Sequence, residues 1–421
     1  MPRVLLVAAT TGYQTRSFTA AARKLGIDVV LATDRCHILE DPWWDHAIPV
    51  RFEEPELSAQ QLAAYTVEGV VAVADRPTLV AALTAQRLGL PFHSPRSVAV
   101  CRDKHEMRRI FDAAGLPVPR NFRVALDRDP NDIAGDVRFP CVLKPLGLSA
   151  SRGVIRANNA AEFADAFECI RRILMQPEIR QFREEWNEAI QIEDYIDGRE
   201  FALEGLMTRG DLKALAIFDK PDPLEGPYFE ETIYVTPSRE SAAIQAEIIE
   251  TTRRAACALG LSHGPVHAEM RVNEKGIYML EVAARPIGGL CARALRFEGG
   301  LTLEEAVILH AVDRMPPDEL TLSPPASGVM MIPVPRAGVF ESVSGIDEAL
   351  LTPGVDDIVI TAKPGQKLLP LPEGASYTGF IFAGGDDPAE VESSLREAHS
   401  RLTFEIFASL DVIPISMPDM L

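Results

Sequence analysis

The segment 266-VHAEMRVNEKGIYMLEVAARPIGGLC-291 decides the fold of this chain. Residues 266–272 alternate apolar and polar side chains, residues 277–282 do so in part, and residues 273–276 have the composition of a tight turn. This pattern predicts a hairpin, whose two strands lie side by side. The side chains of Glu269 and Glu281 are then expected to converge on one face of it.

Glu269 and Glu281 are candidate metal ligands. Like charges held close together repel unless a cation lies between them. Mg²⁺ takes one or two carboxylates and completes its shell with water and phosphate oxygens. Arg285 follows as a planar donor for phosphate or carboxylate, and Gly288-Gly289 would let the backbone approach a ligand closely. A surface hairpin with solvated glutamates explains the same residues, so the rest of the chain must decide.

Composition limits the class of protein. A chain of 421 residues, 47% hydrophobic, is expected to form two to four domains with ample core material. A net charge of −19 argues against nucleic acid or an anionic membrane as the main partner, but not against a nucleotide. The six cysteines have no paired spacing, no apolar run reaches about 18 residues, and no signal peptide is expected. These features predict a soluble, cytoplasmic protein.

Residues 1–95 alternate strand and helix patterns, which predicts a doubly wound α/β domain. Strands are expected at residues 4–8, 28–32 and 70–74, and helices at 15–25 and 78–88. The loop at 9–13 lacks GxGxxG, so no dinucleotide is predicted there. Asp34-Arg35 and Asp75-Arg76 end two of the strands, where they could face a substrate cleft or lie in solvated loops.

Two lysines mark a possible phosphate site. Asp103 is a plausible N-cap, which places Lys104 in the first turn of a helix, where backbone amides favour an anion. Lys144 lies in the otherwise apolar strand 139–145 and needs an anionic partner. The loop 147–153, rich in small residues, follows and could fold over phosphates, although it is not a P-loop. A solvated Lys104 is the plainer alternative.

The remainder of the chain predicts further strands and one more unit. Residues 189–200 are predicted to form a strand, a break at Gly198 and the start of a new strand. The edge of the first strand, at residues 193–196, could hydrogen-bond a planar base through its backbone. Strands are also expected at 214–218 and 229–237, and helices at 241–259 and 301–312. After a proline-rich linker, strands at 328–333, 355–361 and 377–383 and a helix from 388 predict an α+β cap.

The order of these motifs resembles the ATP-grasp superfamily of carboxylate–amine ligases over roughly residues 1–310. Within it, 281-EVAARPIGG-289 is similar to the L-amino acid ligases, which join amino acids into dipeptides. The segment from about 327 resembles the C-terminal domain of those enzymes. The resemblance implies an N-terminal domain at 1–95, an ATP-grasp domain at 96–310 with a lid at about 136–200, and a C-terminal α+β domain at 320–421.

The resemblance also implies ligands and residue roles. ATP would be bound by Lys104, Lys144, Ser149, Ser151 and Gly153 at the phosphates, Glu193, Tyr195 and Ile196 at the adenine, and Glu200 at the ribose. Mg²⁺ or Mn²⁺ would be bound by Glu269 and Glu281, and substrates by Glu231 (or its neighbour Glu230), Tyr234, Arg285, Gly288 and Gly289. Catalysis would fall to Arg285, Lys144 and Glu231. Ala283 stands where many of these enzymes have an asparagine, so the number of metal ions stays open.

The implied reaction phosphorylates a carboxylate with ATP and couples the acyl phosphate to an amine, releasing ADP and phosphate. Positioning and electrostatic stabilisation suffice for this chemistry, with loop 147–153 as a lid that excludes water. A purine-pathway or biotin-carboxylase-like ligase and a non-catalytic ATP-binding module are the alternatives. The resemblance suggests amino acid substrates and a homodimer. His267, on the same strand face as Glu269, is either an active-site residue or a satisfied strand histidine.

Overall fold

The computed structural model describes residues 2–10, 14–34, 46–181, 185–314, 320–323 and 325–408. The end of the loop 9–13, Arg35, most of the proline-rich linker and the C-terminal end therefore lie outside the described residues. Among the described residues, no helix combines the length and the apolar character that crossing a membrane requires.

The N-terminal unit is the doubly wound α/β domain that the sequence predicts. Its elements are β1 (Arg3–Ala8), α1 (Thr15–Lys24), β2 (Asp28–Thr33), β3 (Ile48–Pro49), α2 (Pro55–Leu62), β4 (Gly69–Val73) and α3 (Asp75–Leu88). The strands are parallel, in the order β3-β2-β1-β4. Because helices cover both faces, β1 is apolar from Val4 to Ala8: Leu5 packs on the side of α2 and α3, and Leu6 on the side of α1.

Two short helices lead from this unit to the cleft. They are α4 (Pro95–Cys101) and α5 (Lys104–Ala113). The Asp103 carboxylate accepts hydrogen bonds from the amides of His105 and Glu106, which confirms the predicted N-cap. Lys104 therefore lies in the first turn of α5, and Arg108 follows one turn later on the same side of the helix.

The lid is an antiparallel sheet covered by one long helix. Its elements are β5 (Asn121–Ala125), α6 (Pro130–Ile133), β6 (Cys141–Pro145), β7 (Ile155–Ala157), α7 (Ala160–Leu174), α8 (Pro177–Arg180) and β8 (Ala189–Asp194), with strand order β5-β8-β6-β7. The apolar face of α7, with Phe163, Phe167 and Ile170, is fully buried against the sheet. The sheet begins at β5, ahead of the predicted lid span of about 136–200.

A second, eight-stranded sheet carries the hairpin. Its elements up to the linker are β9 (Arg199–Thr208), β10 (Asp211–Asp219), β11 (Ile233–Thr236), α9 (Ala242–Leu259), β12 (Gly264–Asn273), β13 (Gly276–Ala283), β14 (Arg296–Phe297), β15 (Leu301–Thr302) and α10 (Leu303–Ala311), of which β14 and β15 form a separate ribbon. The predicted hairpin is confirmed as β12 and β13, which turn between Asn273 and Gly276. Glu269 and Glu281 are direct cross-strand partners.

The C-terminal unit continues this sheet. Its elements are β16 (Ala326–Ile332), β17 (Gly338–Ser344), α11 (Ile346–Leu350), β18 (Val355–Ile360), β19 (Lys367–Leu368), β20 (Gly379–Gly385), α12 (Pro388–Ser400) and β21 (Thr403–Phe407). The full strand order is β13-β12-β9-β10-β11-β16-β20-β18, and β11 pairs with β16 from Ile233 to Thr236. The predicted α+β cap is thus joined to the ATP-grasp part through strand pairing.

The predicted strand at 229–237 is wrong in its first half. Only residues 233–236 form β11, and residues 229–232 lie outside any strand. The Phe229 side chain packs instead against Val142 and Leu224, beneath the lid. Burial of this aromatic ring away from the sheet takes the segment out of register, and Glu231 comes to lie in a loop that faces the cleft.

Three histidines lie together where the N-terminal unit meets the start of β12. The His93 ring accepts a hydrogen bond from the Ser262 amide (3.2 Å) and donates one to the Pro265 carbonyl (3.0 Å). His310 stacks on His263 with ring centroids 4.3 Å apart. Burial lowers the pKa of His93 and of His310 to about 4, so both rings are neutral at pH 7.

We expect the free energy of unfolding to decrease as the pH falls from 6.5 to about 4. In this window the unfolded chain binds protons at His93 and His310 that the folded chain does not bind, which costs about 3 kcal/mol for each ring. Urea unfolding between about pH 7.5 and about pH 4.5 measures the loss. His310→Gln, which retains a partner for the Thr208 hydroxyl, should lose less over the same range. Equal losses in both proteins would contradict this prediction.

Candidate active site

A cleft of about 140 Å³ lies between the lid and the β12–β13 hairpin. It collects most of the side chains that the sequence singled out: Lys104, Lys144, Ser149, Ser151, Glu193, Tyr195, Ile196, Glu200, Glu231, Glu269, Glu281 and Arg285. A second cavity of about 230 Å³ adjoins it and collects Tyr234, Gly288 and Gly289. Gly153 lines neither of the two, and neither does Glu230.

The two cavities share one wall. Ser149 and Ala150 of the loop 147–153, together with Glu231, His267, Glu269 and Arg285, line both of them. A group bound in one cavity can therefore meet a group bound in the other at this wall. Two carboxylates and one guanidinium therefore lie where the two compartments meet.

Lys144 is held by a buried ion-pair network. Its ammonium lies 2.5 Å from Glu193, whose carboxylate also accepts hydrogen bonds from Arg108 (2.7 Å) and from Gln191 (2.6 Å). Although burial favours the neutral acid, Arg108 and Lys144 hold the pKa of Glu193 well below its usual range. The side chain of Glu193 therefore orients Lys144. Contact of Glu193 with an adenine stays a prediction, as does contact through the backbone of Tyr195 and Ile196.

Lys104 ties the small-residue loop to the hairpin. Its ammonium donates a hydrogen bond to the Leu148 carbonyl (3.0 Å) and lies 3.6 Å from the Glu281 carboxylate. Helix α5 thus supplies two cations to the cleft, Lys104 directly and Arg108 through Glu193. This arrangement excludes the alternative in which Lys104 is simply solvated.

The loop 147–153 is compact and strained. Ala150 and Ser151 have φ of 56° and 52°, a conformation that is rare for residues with a side chain. Gly153 has φ of 72°, and a Cβ there would lie 2.7 Å from the Pro145 ring. The Gly153 amide donates a hydrogen bond to the Pro372 carbonyl (3.0 Å), so the C-terminal unit holds the end of this loop.

Lys220, which the sequence analysis missed, lies among three carboxylates. Its ammonium is 2.9 Å from Glu200 and 3.5 Å from Glu269, and it donates a short hydrogen bond to Glu231. Although burial opposes it, these three groups raise the pKa of Lys220 well above its usual value. A sequence signal could have identified Lys220, because this lysine directly follows the apolar stretch that ends β10, just as Lys144 lies in the apolar strand β6.

The same cluster raises the pKa of Glu231 to about 7, through burial first and the charge of Glu269 second. Carboxylate oxygens of Glu200, Glu231 and Glu269 lie within 4.8 Å of one another. Glu281 is not part of this cluster, although it lies opposite Glu269 across the hairpin. The Glu200 carboxylate binds Lys220 and Arg271. Its contact with a ribose stays a prediction.

Arg285 is held by the N-terminal unit. Asp75, the first residue of α3, accepts two hydrogen bonds from the Arg285 guanidinium, at 2.7 and 3.1 Å. Asp75 lines the second cavity, which confirms the cleft alternative for this residue. Asp34 instead accepts hydrogen bonds from the Thr10 amide and hydroxyl (both 2.7 Å), so it does not reach the cleft.

Comparison with known proteins decides the family. An ATP-grasp N-terminal domain matches residues 18–92, an ATP-grasp domain matches residues 137–294, and an L-amino acid ligase C-terminal domain matches residues 330–406. The chain belongs to the ATP-grasp family.

Several solved and curated relatives of this ATP-grasp chain are named as ligases. The crystal structure of an L-amino acid ligase from Bacillus licheniformis has a TM-score of 0.81 at 24% identity, covering 97% of this chain and 99% of that one, and shows the shared fold. Alanine–anticapsin ligase from Bacillus subtilis is 27% identical over 65% of this chain and 62% of its own length. D-Alanine–D-alanine ligase from Pseudomonas putida is 25% identical over 47% of this chain.

The chain spans less than two thirds of the length of these two curated relatives, 62% and 60%. The three family models and the ligase relatives together identify it as an ATP-dependent carboxylate–amine ligase. The order of lysines, loop and hairpin glutamates was therefore a correct indicator of the ATP-grasp family.

His267 of the ATP-grasp domain lines both cavities, and its ring is also satisfied by partners on its own strand and on β9. Its ring lies 3.1 Å from Glu204 and 3.4 Å from Glu269. Although burial opposes it, these two carboxylates raise the pKa of His267 to about 9. The sequence analysis missed Glu204, which is fully buried on β9 and also accepts a hydrogen bond from the Ile287 amide (3.1 Å).

Strand register explains these pairs. Glu204 of β9 lies opposite His267 of β12, and Glu200 lies opposite Arg271. Residues two apart on a strand share a face, so these side chains line up on the cleft side of the sheet. Ala283 lies opposite His267 on the other side of β12, is buried, and offers no ligand atom.

Proposed function

We propose that this ligase activates an amino acid as its acyl phosphate and joins it to the amine of a second amino acid, forming a dipeptide or a related amide. The observation that carries the proposal is the wall shared by the two cavities. It places Ser149, Glu231, Glu269 and Arg285 between the cleft that contains Lys104 and Lys144 and a second compartment. Transfer of a phosphoryl group from ATP to a carboxylate needs such a junction.

On the ATP side, the cations of the cleft suit phosphates. Lys104 and Lys144 would contact the phosphate oxygens, and loop 147–153 would cover them with backbone N–H groups. The carboxylate donors of Glu269 and Glu281 suit Mg²⁺ or Mn²⁺, and Ala283 adds no further donor. When bound, the metal ion neutralises charge on the phosphates.

On the substrate side, the carboxylate cluster can receive a second cation. Glu200 and Glu269 have further cationic partners in Arg271 and His267, whereas Glu231 pairs with Lys220. A substrate ammonium beside Glu231 would add a second cation to this carboxylate. Tyr234 lines the second cavity, and the Lys220 ammonium lies 5.0 Å from its ring centroid.

The proposed reaction has two steps. A carboxylate oxygen of the first amino acid attacks the γ-phosphorus of ATP, and the bond to the β–γ bridging oxygen breaks to release ADP. The amine nitrogen of the second amino acid then attacks the acyl carbon, and phosphate leaves. Arg285 stabilises negative charge on the transferring phosphoryl group, and Glu231, with a pKa of about 7, accepts the proton that the amine loses.

The test is ADP release from ATP and Mg²⁺ with pairs of amino acids. The proposal requires a rate that depends on both partners and a product containing both. ADP release that no amino acid pair stimulates would overturn it, and dependence on bicarbonate would favour a biotin-carboxylase-like reaction.

Glu281→Ala tests the assigned site directly. We expect this variant to bind ATP but to lose at least about 99% of its turnover, because a metal-binding carboxylate is missing from the phosphoryl-transfer site. Glu274→Ala, which removes an exposed glutamate from the turn of the same hairpin, is the matched control and should keep full activity. Normal turnover by Glu281→Ala would show that the metal site lies elsewhere.

A further inference from the structure

The second cavity has a wall that belongs to the C-terminal unit. Met331 of β16 and Tyr377, just before β20, line this cavity together with residues of the N-terminal and ATP-grasp units. The Tyr377 ring packs edge-on against Phe380, with centroids 6.0 Å apart. The chain here is anchored by backbone contacts, since the Thr378 amide donates to the Ile332 carbonyl (2.9 Å). Truncating the Tyr377 side chain therefore leaves the local backbone bonds in place.

The glycine pair forms the neighbouring part of this cavity. Gly289 has φ of 59°, and a Cβ there would lie 3.1 Å from the Phe380 ring, so a side chain at this position would be strained and would press on that ring. A Cβ at Gly288 would meet nothing within 4 Å. The Gly289 backbone therefore rests on the same phenylalanine that supports Tyr377, and open space is left above Gly288.

Charged and apolar groups occupy different parts of the second cavity. In the part of the chain that the structure describes, its charged lining groups all have protein partners: Asp75 with Arg285, Glu231 with Lys220, and Glu269 with Lys220 and His267. All of them except Asp75 lie on the wall shared with the ATP cleft. The rest of the lining is mostly apolar, with Val73, Ala74, Ile287, Cys291 and Met331, and it also includes the Tyr234 ring and Gln14, whose side-chain amide donates a hydrogen bond to the Ile287 carbonyl.

Resting on the proposed function, we propose that this cavity binds the acyl donor as an amino acid with a small or medium-sized apolar side chain, and that Tyr377 sets its upper size limit. The carboxylate and ammonium of the donor face the charged shared wall, where the γ-phosphate of ATP arrives. Its side chain points away from that wall into the apolar part. A charged side chain would have to be buried there without a partner, which disfavours its binding.

The experiment offers each amino acid singly with ATP, Mg²⁺ and hydroxylamine, a small amine that converts an acyl phosphate into a hydroxamate. For the unmodified protein we expect kcat/KM for alanine, valine, leucine or methionine to exceed that for aspartate, glutamate, lysine and arginine by at least about tenfold. Tyr377→Ala should raise kcat/KM for phenylalanine relative to alanine by about tenfold or more. Tyr65→Ala, which truncates an exposed tyrosine of the N-terminal unit, should leave this ratio unchanged.

The outcomes separate the two proposals. Hydroxamate formed best from charged amino acids overturns the inference and leaves the proposed ligase function standing. Absence of hydroxamate with every amino acid overturns the proposed function itself. An unchanged preference in a folded Tyr377→Ala variant shows that the C-terminal unit does not set the size limit. Tyr377→Leu, a smaller change, gives the same readout if the alanine variant melts at a much lower temperature.

Discussion

Replacing Arg285 by methionine should lower kcat by about a thousandfold while ATP binding changes little, because an arginine that stabilises a transferring phosphoryl group is worth that much or more. Arg285 lies on the wall shared by both cavities, and Asp75 fixes its guanidinium through two hydrogen bonds. Single-turnover ADP formation and calorimetric ATP binding separate the two effects. A variant that keeps more than about a tenth of kcat would remove Arg285 from the catalytic set.

Two further variants distinguish catalysis from stability at this site. Arg285→Met leaves Asp75 without its partner, which by itself destabilises the fold. The double variant with Asp75→Asn removes both charges, so it should regain stability but not activity. Arg293→Met is the matched control, since this nearby arginine pairs with Asp357 at 2.6 Å and lines neither cavity.

Replacing Lys220 by methionine should lower the free energy of unfolding by about 3–5 kcal/mol at pH 7.5, because it leaves three clustered carboxylates without their ammonium. Carboxyl groups whose pKa is raised in the folded state bind more protons there than in the unfolded chain. Glu231 already has a pKa near 7 against an ordinary 4.5, so the variant should gain stability as the pH falls through this window. Urea unfolding at several pH values measures this.

Divalent ions give an independent readout of the same variant. With the ammonium gone, Glu200, Glu231 and Glu269 can bind Mg²⁺ or Mn²⁺, so either ion should raise the melting temperature of Lys220→Met more than that of the unmodified protein. Lys275→Met, at the exposed turn of the hairpin, controls for loss of a lysine elsewhere. A variant as stable as the unmodified protein at every pH would show that Lys220 does not balance these carboxylates.

Local physics made much of the site predictable from the sequence. Alternation and turn composition are properties of neighbouring residues, and they predicted the hairpin with Glu269 and Glu281 facing one another. The Asp103 N-cap depends on a side chain and amides two and three residues away, so it too was predictable. Lys144 was predicted to need an anionic partner, because an apolar strand cannot hold an isolated charge.

Tertiary structure decided which distant side chains contact the predicted site residues. Glu193 was predicted to bind a ligand, yet its carboxylate binds Lys144 and Arg108, which arrive from a different strand and from helix α5. Residues 229–232 do not continue β11, because Phe229 is buried under the lid. Such contacts depend on how distant segments pack, and no local period encodes them.

By itself the sequence determined the family and indicated most of the charged side chains that line the cleft. Only the tertiary structure placed Lys220 among three carboxylates, paired Asp75 with Arg285 and joined β11 to β16. Asp75 and Arg285 are separated by 210 residues. A pattern in the sequence reports the neighbours that a residue has along the chain, whereas a buried charge is stabilised by the groups that close around it in space.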